Sequence, residues 1–579
     1  MEEQKLTGYP SIDKPWLKYY SEEAIKAPLP ECTIYECLWE NNKNHLDEIA
    51  IQYFSTKITY RELFEKIDLA AKAFSVKGIK RGDVVIIASV TLPEVVFSVY
   101  ALNKIGAIPN MVDPRTSTEG IRNYITEVSA TVVLTIDLAY QKIVQSAKNT
   151  TVKQIILLSA TDSMKFLLKS ALKLKNWKKK ATSSEIPSIV WSNFVKGAEN
   201  NILIARASRH EDCCMIVHTG GTTGFSKGVM LSNDNVNAGF HQAFHTPITM
   251  QRQDVFLNIM PPFIAYGMVL GIHTALCWGW KSVLIPKFDP QKFGELLLKH
   301  RPNGLIGVPA YFENMLGSKK VQRADLSFIK VVLAGGDRTP VEFEQRLNKF
   351  LATHKARIHL SKGYSLTEAS ATATVSFENT VKLGSAGIPL VNTIISSFDE
   401  NNGRELTNGE LGEICISSPT IMMGYYSNDA ATREIIRIHN DGTKWVHTGD
   451  FGYVDKDGLI YIEGRLKRMI VRYDGFKVFP PFIEKVILSN TAVDCCCAVG
   501  RPDPSHRHGM LPVVFAVMKS DAEISKSELR AELLNKCNAE LPEYSQPVEI
   551  LFVSELPLTP IGKIDYRTLE KQAEEMTKA

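Results

Sequence analysis

The sequence lacks an apolar run long enough to cross a bilayer. Its longest apolar stretch, residues 84–102, carries Pro93 and Glu94 inside it, whereas a spanning helix needs about 20 apolar residues without such breaks. It reads instead as a strand (84–89), a turn and a helix starting near Pro93. The opening MEEQKLTGYP has no basic region leading into an apolar one, so no secretory signal is expected. The ten cysteines contain no Cys-x-x-Cys pair. Cys213, Cys214 and Cys495–Cys497 sit in apolar runs, as buried thiols do, and a reducing, cytoplasmic setting fits them. Neither charge dominates: 67 basic against 63 acidic residues leave a net +4 over 579 positions, too little to argue for a nucleic-acid partner. What remains is an ordinary globular composition, 44% hydrophobic and 22% charged, in a chain long enough for more than one domain.

Residues 58–112 alternate helical and strand patterns, with an amphipathic helix to Ala73, a Gly78 break, the 84–89 strand, a helix over 94–105 and a short apolar run to Val112. This spacing predicts βαβ units and a mostly parallel sheet. The rhythm returns in 211–240, 281–310 and 328–350. From about 384 short β-rich pieces take over (394–398, 412–417, 453–464), separated by the turns Asn401-Asn402-Gly403, Asn440-Asp441-Gly442 and Asp457-Gly458. A compact α+β pattern follows Arg465. The predicted organisation is therefore an α/β N-terminal domain over 1–466, with a β-barrel-like subdomain at about 384–466, and a small α+β C-terminal domain over 467–579. One stretch stands out: 164–180 holds seven lysines and no acid, with Met164, Leu167, Leu168, Ala171 and Leu174 near one helical stripe. It reads either as a surface helix packed on its own domain or as an interfacial helix touching anionic lipid.

The most informative segment runs Thr219-Gly220-Gly221-Thr222-Thr223-Gly224-Phe225-Ser226-Lys227-Gly228 directly after an apolar strand. Glycines let backbone N–H groups approach an anion closely, threonine hydroxyls add donors, and Lys227 adds a positive charge. The spacing matches neither the Walker A loop nor GxGxxG. Gly224-Phe225-Ser226-Lys227-Gly228 reads as GxSxG, but a nucleophile elbow needs its serine on a turn from strand directly into helix. Here a loop precedes Ser226, and Val229, Met230 and Leu231 follow it.

This loop resembles the signature of the adenylate-forming (ANL) enzymes, which include acyl-CoA synthetases, peptide-synthetase adenylation domains and luciferases; serine stands at 226 where that family usually has proline. Further segments resemble the family's motifs in the expected order. Gly335 and Gly336 match its turn under the adenine. Gly363-Tyr364-Ser365-Leu366-Thr367-Glu368 matches G-Y-x-x-T-E, where Tyr364 offers an aromatic face, Thr367 a hydroxyl and Glu368 a carboxylate for Mg²⁺. Trp445 through Asp450 matches W-x-H-T-G-D, with Asp450 on the ribose. Arg465 and Lys467 fall in the hinge segment, and Lys563 in the C-terminal lysine loop.

The resemblance implies a two-step reaction. ATP and a carboxylic acid give acyl-AMP and pyrophosphate, with Lys563, Glu368, Lys227 and Thr219 acting on the phosphates through charge and positioning. The small domain then rotates about Lys467 and brings Tyr473, Asp474, Gly475 and Phe476 to the side where the CoA thiol attacks. Phe263, Ile264, Tyr266, Gly267 and Val308 fall in the acyl-pocket segments, with Met268, Val269, Leu270, Leu305 and Ile306 as further lining. Ile264 replaces a histidine common in this family. No acid lies in 263–267 to neutralise a substrate ammonium, which disfavours an amino acid; the short tail after Lys563 is not expected to hold a carrier domain. An uncharged acid, above all a fatty acid, is the expected substrate. An aryl acid, or a carrier-protein thiol as acceptor, are the alternatives.

Overall fold

The structure is a computed structural model that describes residues 6–165, 186–201, 209–219, 226–337, 339–474, 476–506, 509–558 and 564–578. Among these residues an eight-stranded sheet runs in the order Gly424–Tyr425, Gly228–Ser232, Cys213–His218, Ile108–Val112, Val84–Ala88, Val132–Ile136, Gln154–Leu158, Ser188–Val190. From Cys213–His218 onward every pairing is parallel. A seven-stranded sheet runs Ser361–Lys362, Val331–Ala334, Gly304–Gly307, Val255–Asn258, Lys281–Leu284, Ile49–Tyr53, Thr56–Thr59, parallel except for its terminal hairpin. The expected α/β class with mainly parallel sheets is thus present.

Local chemistry accounts for the elements. Helix Tyr60–Val76 starts in a reciprocal capping box between Thr59 and Glu62 and buries Leu63, Phe64, Ile67, Ala70, Ala71 and Phe74, the spacing of one helical face. Gly78 ends it at φ +82°, a conformation open to glycine. Pro93 sits in the first turn of helix Pro93–Lys104, which is buried from Pro93 through Asn103. Covered on every side, it carries apolar residues around most of its circumference, and this explains why the 84–102 run is so long without spanning a membrane. No helix among the described residues is long and apolar enough to cross one. Apart from Met164 and Lys165, the lysine-rich 164–180 stretch lies outside the described residues.

One sequence expectation is corrected. Residues 211–240 do not alternate strand and helix: Cys213–His218 doubles back into Gly228–Ser232 as an antiparallel pair before helix Asn233–Phe244 begins. Ser226 therefore lies between two strands, which removes the nucleophile elbow. The turn expected at Asp457-Gly458 falls within 453–464. Asp455 Oδ1 accepts the N–H groups of Asp457 and Leu459, both at 2.9 Å, and the resulting turn separates Lys444–Val454 from Ile460–Arg465. These two strands join Ile394–Phe398, Gly412–Ser417 and Ile436–Ile438 in an antiparallel sheet.

In the C-terminal part, Val493–Pro502 pairs antiparallel with Met510–Met518, and Glu549–Val553 pairs parallel with the latter. Alternation across the strand sends Cys496 and Ala498 into one core with helices Pro480–Leu488 and Lys526–Glu540, and Cys497 and Val499 into a second core with helix Tyr566–Lys578. All ten cysteines are free and buried or half-buried.

Candidate active site

The glycine–threonine loop hangs between paired strands. Its neck is tied by the Thr219 N–H donating to the Lys227 carbonyl at 3.1 Å, the Lys227 N–H donating to Thr219 Oγ1 at 3.3 Å, and the Ser226 hydroxyl donating to the Thr219 carbonyl. Serine at 226 thus closes the loop by a hydrogen bond. Gly220, Gly221, Thr222, Thr223 and Gly224 lie outside the described residues. Behind the neck, His218 Nε2 is 2.7 Å from Asn110 Oδ1, and burial lowers its pKa to about 4. The ring is therefore neutral near pH 7.

Lys227 Nζ lies 4.6 Å from the centroid of the Tyr425 ring. The Tyr425 hydroxyl donates to Glu368 Oε1 at 2.6 Å. Sequence reasoning missed this tyrosine. It arrives because Tyr425 pairs with Val229, and Gly424 with Met230, across 190-odd residues of chain. The Glu368 backbone carbonyl accepts the Met422 N–H at 2.9 Å, fixing the same junction. The other Glu368 carboxylate oxygen accepts no hydrogen bond among the described residues. Thr367 and Glu368 share one tight turn, and a carboxylate oxygen is the kind of hard ligand that suits Mg²⁺.

Glu368 and Tyr364 are positioned from strand Ser361–Lys362. There the Lys362 ammonium, 2.6 Å from Glu344 Oε2, forms an ion pair with both side chains almost wholly buried. A Cβ on Gly363 would meet the Thr374 carbonyl at 2.9 Å, so only glycine lets the chain pass. The Tyr364 N–H donates to Thr374 Oγ1 at 2.9 Å, and its phenol donates to Asp450 Oδ2. Burial first, then the Asp450 carboxylate, push that phenol well above its ordinary pKa. Arg465 Nε is 2.8 Å from Asp450 Oδ1. Partial desolvation opposes the charge of this guanidinium, whose side chain is still 58% exposed, but Asp450, Tyr364 and Glu368 together hold its pKa above the ordinary value. Asp450 is itself held at an irregularity in strand Lys444–Val454: His447 Nδ1 is 2.8 Å from Glu413 Oε2, the Gly449 N–H donates to Glu413 Oε1 at 2.9 Å, and Thr448 Oγ1 donates to the Ile414 carbonyl at 2.6 Å.

Gly335 and Gly336 follow strand Val331–Ala334. Gly336 has φ +78°, and a Cβ there would stand 3.6 Å from Val308. The Tyr266 hydroxyl donates to the Leu333 carbonyl at 3.4 Å and would lie 3.5 Å from a Cβ on Gly335. Tyr266, Val308 and the glycine pair therefore meet at one end of the cleft. Phe263 lies under Arg115, its ring centroid 5.7 Å from the guanidinium carbon, and Ile264 is half-buried. Gly267 has no alternative, since a Cβ would overlap the Pro261 carbonyl at 1.9 Å. Met268, Val269 and Leu305 are packed in the core, as are Leu270 and Ile306.

Lys467 is exposed in the turn Leu466–Arg468. On one side Arg465 holds Asp450. On the other Arg468 holds Glu484 and donates to the Ala498 carbonyl at 3.1 Å. Tyr473 is half-exposed and stacks on His506, and Phe476 stacks on Tyr544 at 4.7 Å; Asp474 pairs with Arg472 at 3.2 Å, and Gly475 is outside the described residues. So is Lys563. Its flanks are described: Leu558 and Ile564 form an antiparallel bridge, and the Asp565 N–H donates to the Pro557 carbonyl at 2.8 Å. Tyr566, three residues past Lys563, lies with its ring 5.5 Å from the Arg468 guanidinium.

The sequence model of the AMP-binding enzyme family matches residues 38–426, and that of the AMP-binding enzyme C-terminal domain matches 483–563. The chain is 29% identical over 571 residues to the long-chain-fatty-acid–CoA ligase of Bacillus subtilis, covering 97% of this chain and 98% of that protein. It is 28% identical over 510 residues to 4-coumarate–CoA ligase 1 of Oryza sativa, covering 86% and 84%. The crystal structure of ATP-bound MatB from Rhodopseudomonas palustris superposes with a TM-score of 0.80 at 22% identity, covering 94% of this chain and 100% of that one, which shows a shared fold. Matched over most of its length by one family model and near its C-terminus by the companion model, the chain belongs to the AMP-binding enzymes, among the acyl-CoA synthetases of the adenylate-forming superfamily.

Proposed function

We propose that this protein joins a carboxylic acid to AMP from ATP, releasing pyrophosphate, and then passes the acyl group to the thiol of CoA. The observation that carries this reading is one connected cluster: Lys227 over Tyr425, Tyr425 on Glu368, Glu368 in the field of Arg465, and Arg465 with Tyr364 on Asp450. A lysine, a carboxylate whose second oxygen accepts no hydrogen bond among the described residues, and an aromatic face beside an acid for ribose hydroxyls together form the complement of a nucleoside triphosphate. Mg²⁺ held by Glu368, with the hydroxyls of Thr367 and Thr219 nearby, would neutralise charge on the phosphates. The chain's own groups do the rest. Asp450 and Tyr364 orient the nucleoside, and Lys227 with the amides of the 219–228 loop holds the phosphates. Lys563 contacts the charge that builds on the α-phosphate as the carboxylate attacks. Lys467, between the two arginine anchors, is the pivot about which Lys563 then withdraws and Tyr473, Asp474 and Phe476 approach the adenylate.

A fatty acid is the favoured substrate. Tyr266, Val308, Phe263 and Ile264 supply an apolar wall, and the fatty-acid ligase relative aligns over nearly the whole chain. An aryl acid is the second reading, favoured by the coumarate-ligase relative. Pyrophosphate release measured over fatty, aryl and amino acids, with and without CoA, tests both. Release with no acid on the panel, or acyl transfer to a carrier-protein thiol with none to free CoA, would sink the proposed reaction.

A further inference from the structure

Lys227 and Glu368 carry opposite charges in one cleft, yet among the described residues neither makes an ion pair with the other. Tyr425 lies between them. Its ring faces the ammonium at 4.6 Å, its hydroxyl holds Glu368 Oε1 at 2.6 Å, and its side chain is only 4% exposed. The tyrosine is itself fixed twice over. Its backbone is paired to Val229, two residues past Lys227, and its N–H donates to Thr432 Oγ1 at 2.9 Å.

We propose that Tyr425 is a positioning residue that keeps Lys227 and Glu368 apart, each available for a nucleotide triphosphate, and so prevents their collapse into an ion pair. This rests on the nucleotide-binding reading above and deepens it. A cation over an aromatic face is attracted without losing all its donors, because the ring quadrupole accepts no proton; Lys227 stays oriented while its three N–H bonds remain open. A phenol donating to one carboxylate oxygen leaves the second oxygen to a metal. With a smaller apolar residue at 425 the exposed ammonium and the half-buried carboxylate would pair with one another, and both would be lost to the β- and γ-phosphates.

Calorimetric binding of a non-hydrolysable ATP analogue and of AMP tests this without turnover. Tyr425→Leu is expected to weaken the magnesium-bound analogue at least tenfold and AMP, which lacks the outer phosphates, less than twofold. In magnesium-free buffer, adding Glu368→Gln to that variant is expected to bring analogue affinity to within threefold of Glu368→Gln alone, since a neutral amide cannot capture the lysine. Tyr425→Phe keeps the ring and its volume, so it carries the test even where leucine impairs folding. It is expected to match the unmodified protein without magnesium and to gain at least threefold less affinity when magnesium is added. Equal weakening of AMP and analogue in the leucine variant, or an unaltered magnesium gain in the phenylalanine variant, overturns the role of Tyr425. Failure of the unmodified protein to bind the analogue at all overturns the nucleotide reading instead.

Discussion

The guanidinium of Arg465 stands 2.8 Å, Nε to Oδ1, from the carboxylate of Asp450, and the two residues lie directly opposite one another across an antiparallel pair. Backbone register, not side-chain reach alone, holds this contact. With the Tyr364 phenol on its second oxygen, Asp450 is held in a fixed orientation from both sides. Asp450→Ala is therefore expected to abolish discrimination between ATP and 2′,3′-dideoxy-ATP. Hydrogen bonds to a charged group are worth about 1.5–3 kcal/mol, so the unmodified protein should favour ATP by roughly 10- to 100-fold in kcat/KM, and the variant should treat the two nucleotides alike. Steady-state pyrophosphate release with both nucleotides checks this, and retained discrimination would move the ribose elsewhere.

Lys563→Ala is expected to stop adenylate formation, by about 10²-fold or more for loss of a charged transition-state contact, and to spare thioester formation from supplied acyl-AMP and CoA. The two half-reactions are assayed separately, by pyrophosphate exchange and by thioester appearance. Equal loss in both would contradict the assignment of this lysine to the first step.

The buried pair Lys362–Glu344 sets the strand from which Tyr364 and Glu368 emerge. Glu344 Oε1 has no hydrogen-bond partner among the described residues, and burial lowers the Lys362 pKa even with the pair intact. Lys362→Met leaves a buried carboxylate alone and is expected to cost about 3–5 kcal/mol, while adding Glu344→Leu recovers most of it. Urea unfolding of the two single variants and the double variant measures the coupling. Additive losses would mean that the pair is not a unit.

Local pattern made a good part of this fold legible. Strands 394–398 and 412–417 appear where alternation and flanking turns put them, and the helix after Thr59 begins in the capping box that the sequence spells out. What local pattern did not carry is pairing between distant segments. Gly228–Ser232 looks like a helix lead-in because its apolar residues are consecutive, and it becomes a strand because Cys213–His218 on one side and Gly424–Tyr425 on the other supply its partners. Tyr425 was missed for the same reason. Nothing in the residues around it marks chemistry, and its place beside Lys227 exists only once that distant pairing has formed. Tyr364, Glu368, Asp450 and Arg465 were singled out because each sits in a segment that resembles a family motif, and the fold brings these four side chains into one connected cluster.

Away from that cleft, Glu94 supplies a test of the fold's pH dependence. Burial raises its carboxyl pKa from the ordinary 4.5 to about 7, against a lowering by the Ser163 hydroxyl that donates to it; its second oxygen is buried with no partner among the described residues. Between pH 4.5 and 7 the folded chain holds this proton and the unfolded chain has lost it, so this group's contribution to stability falls as pH rises through that window. At about 1.4 kcal/mol per pH unit, the loss is on the order of 3 kcal/mol by pH 8. Glu94→Gln, which carries no titrating proton, is expected to differ little from the unmodified protein at pH 4.5 and to gain on it steadily up to pH 8. Urea unfolding of both proteins at pH 5, 6.5 and 8 reads the difference. Parallel curves would mean that Glu94 is ionised in the fold throughout, with water or a cation meeting the oxygen that is otherwise unpaired.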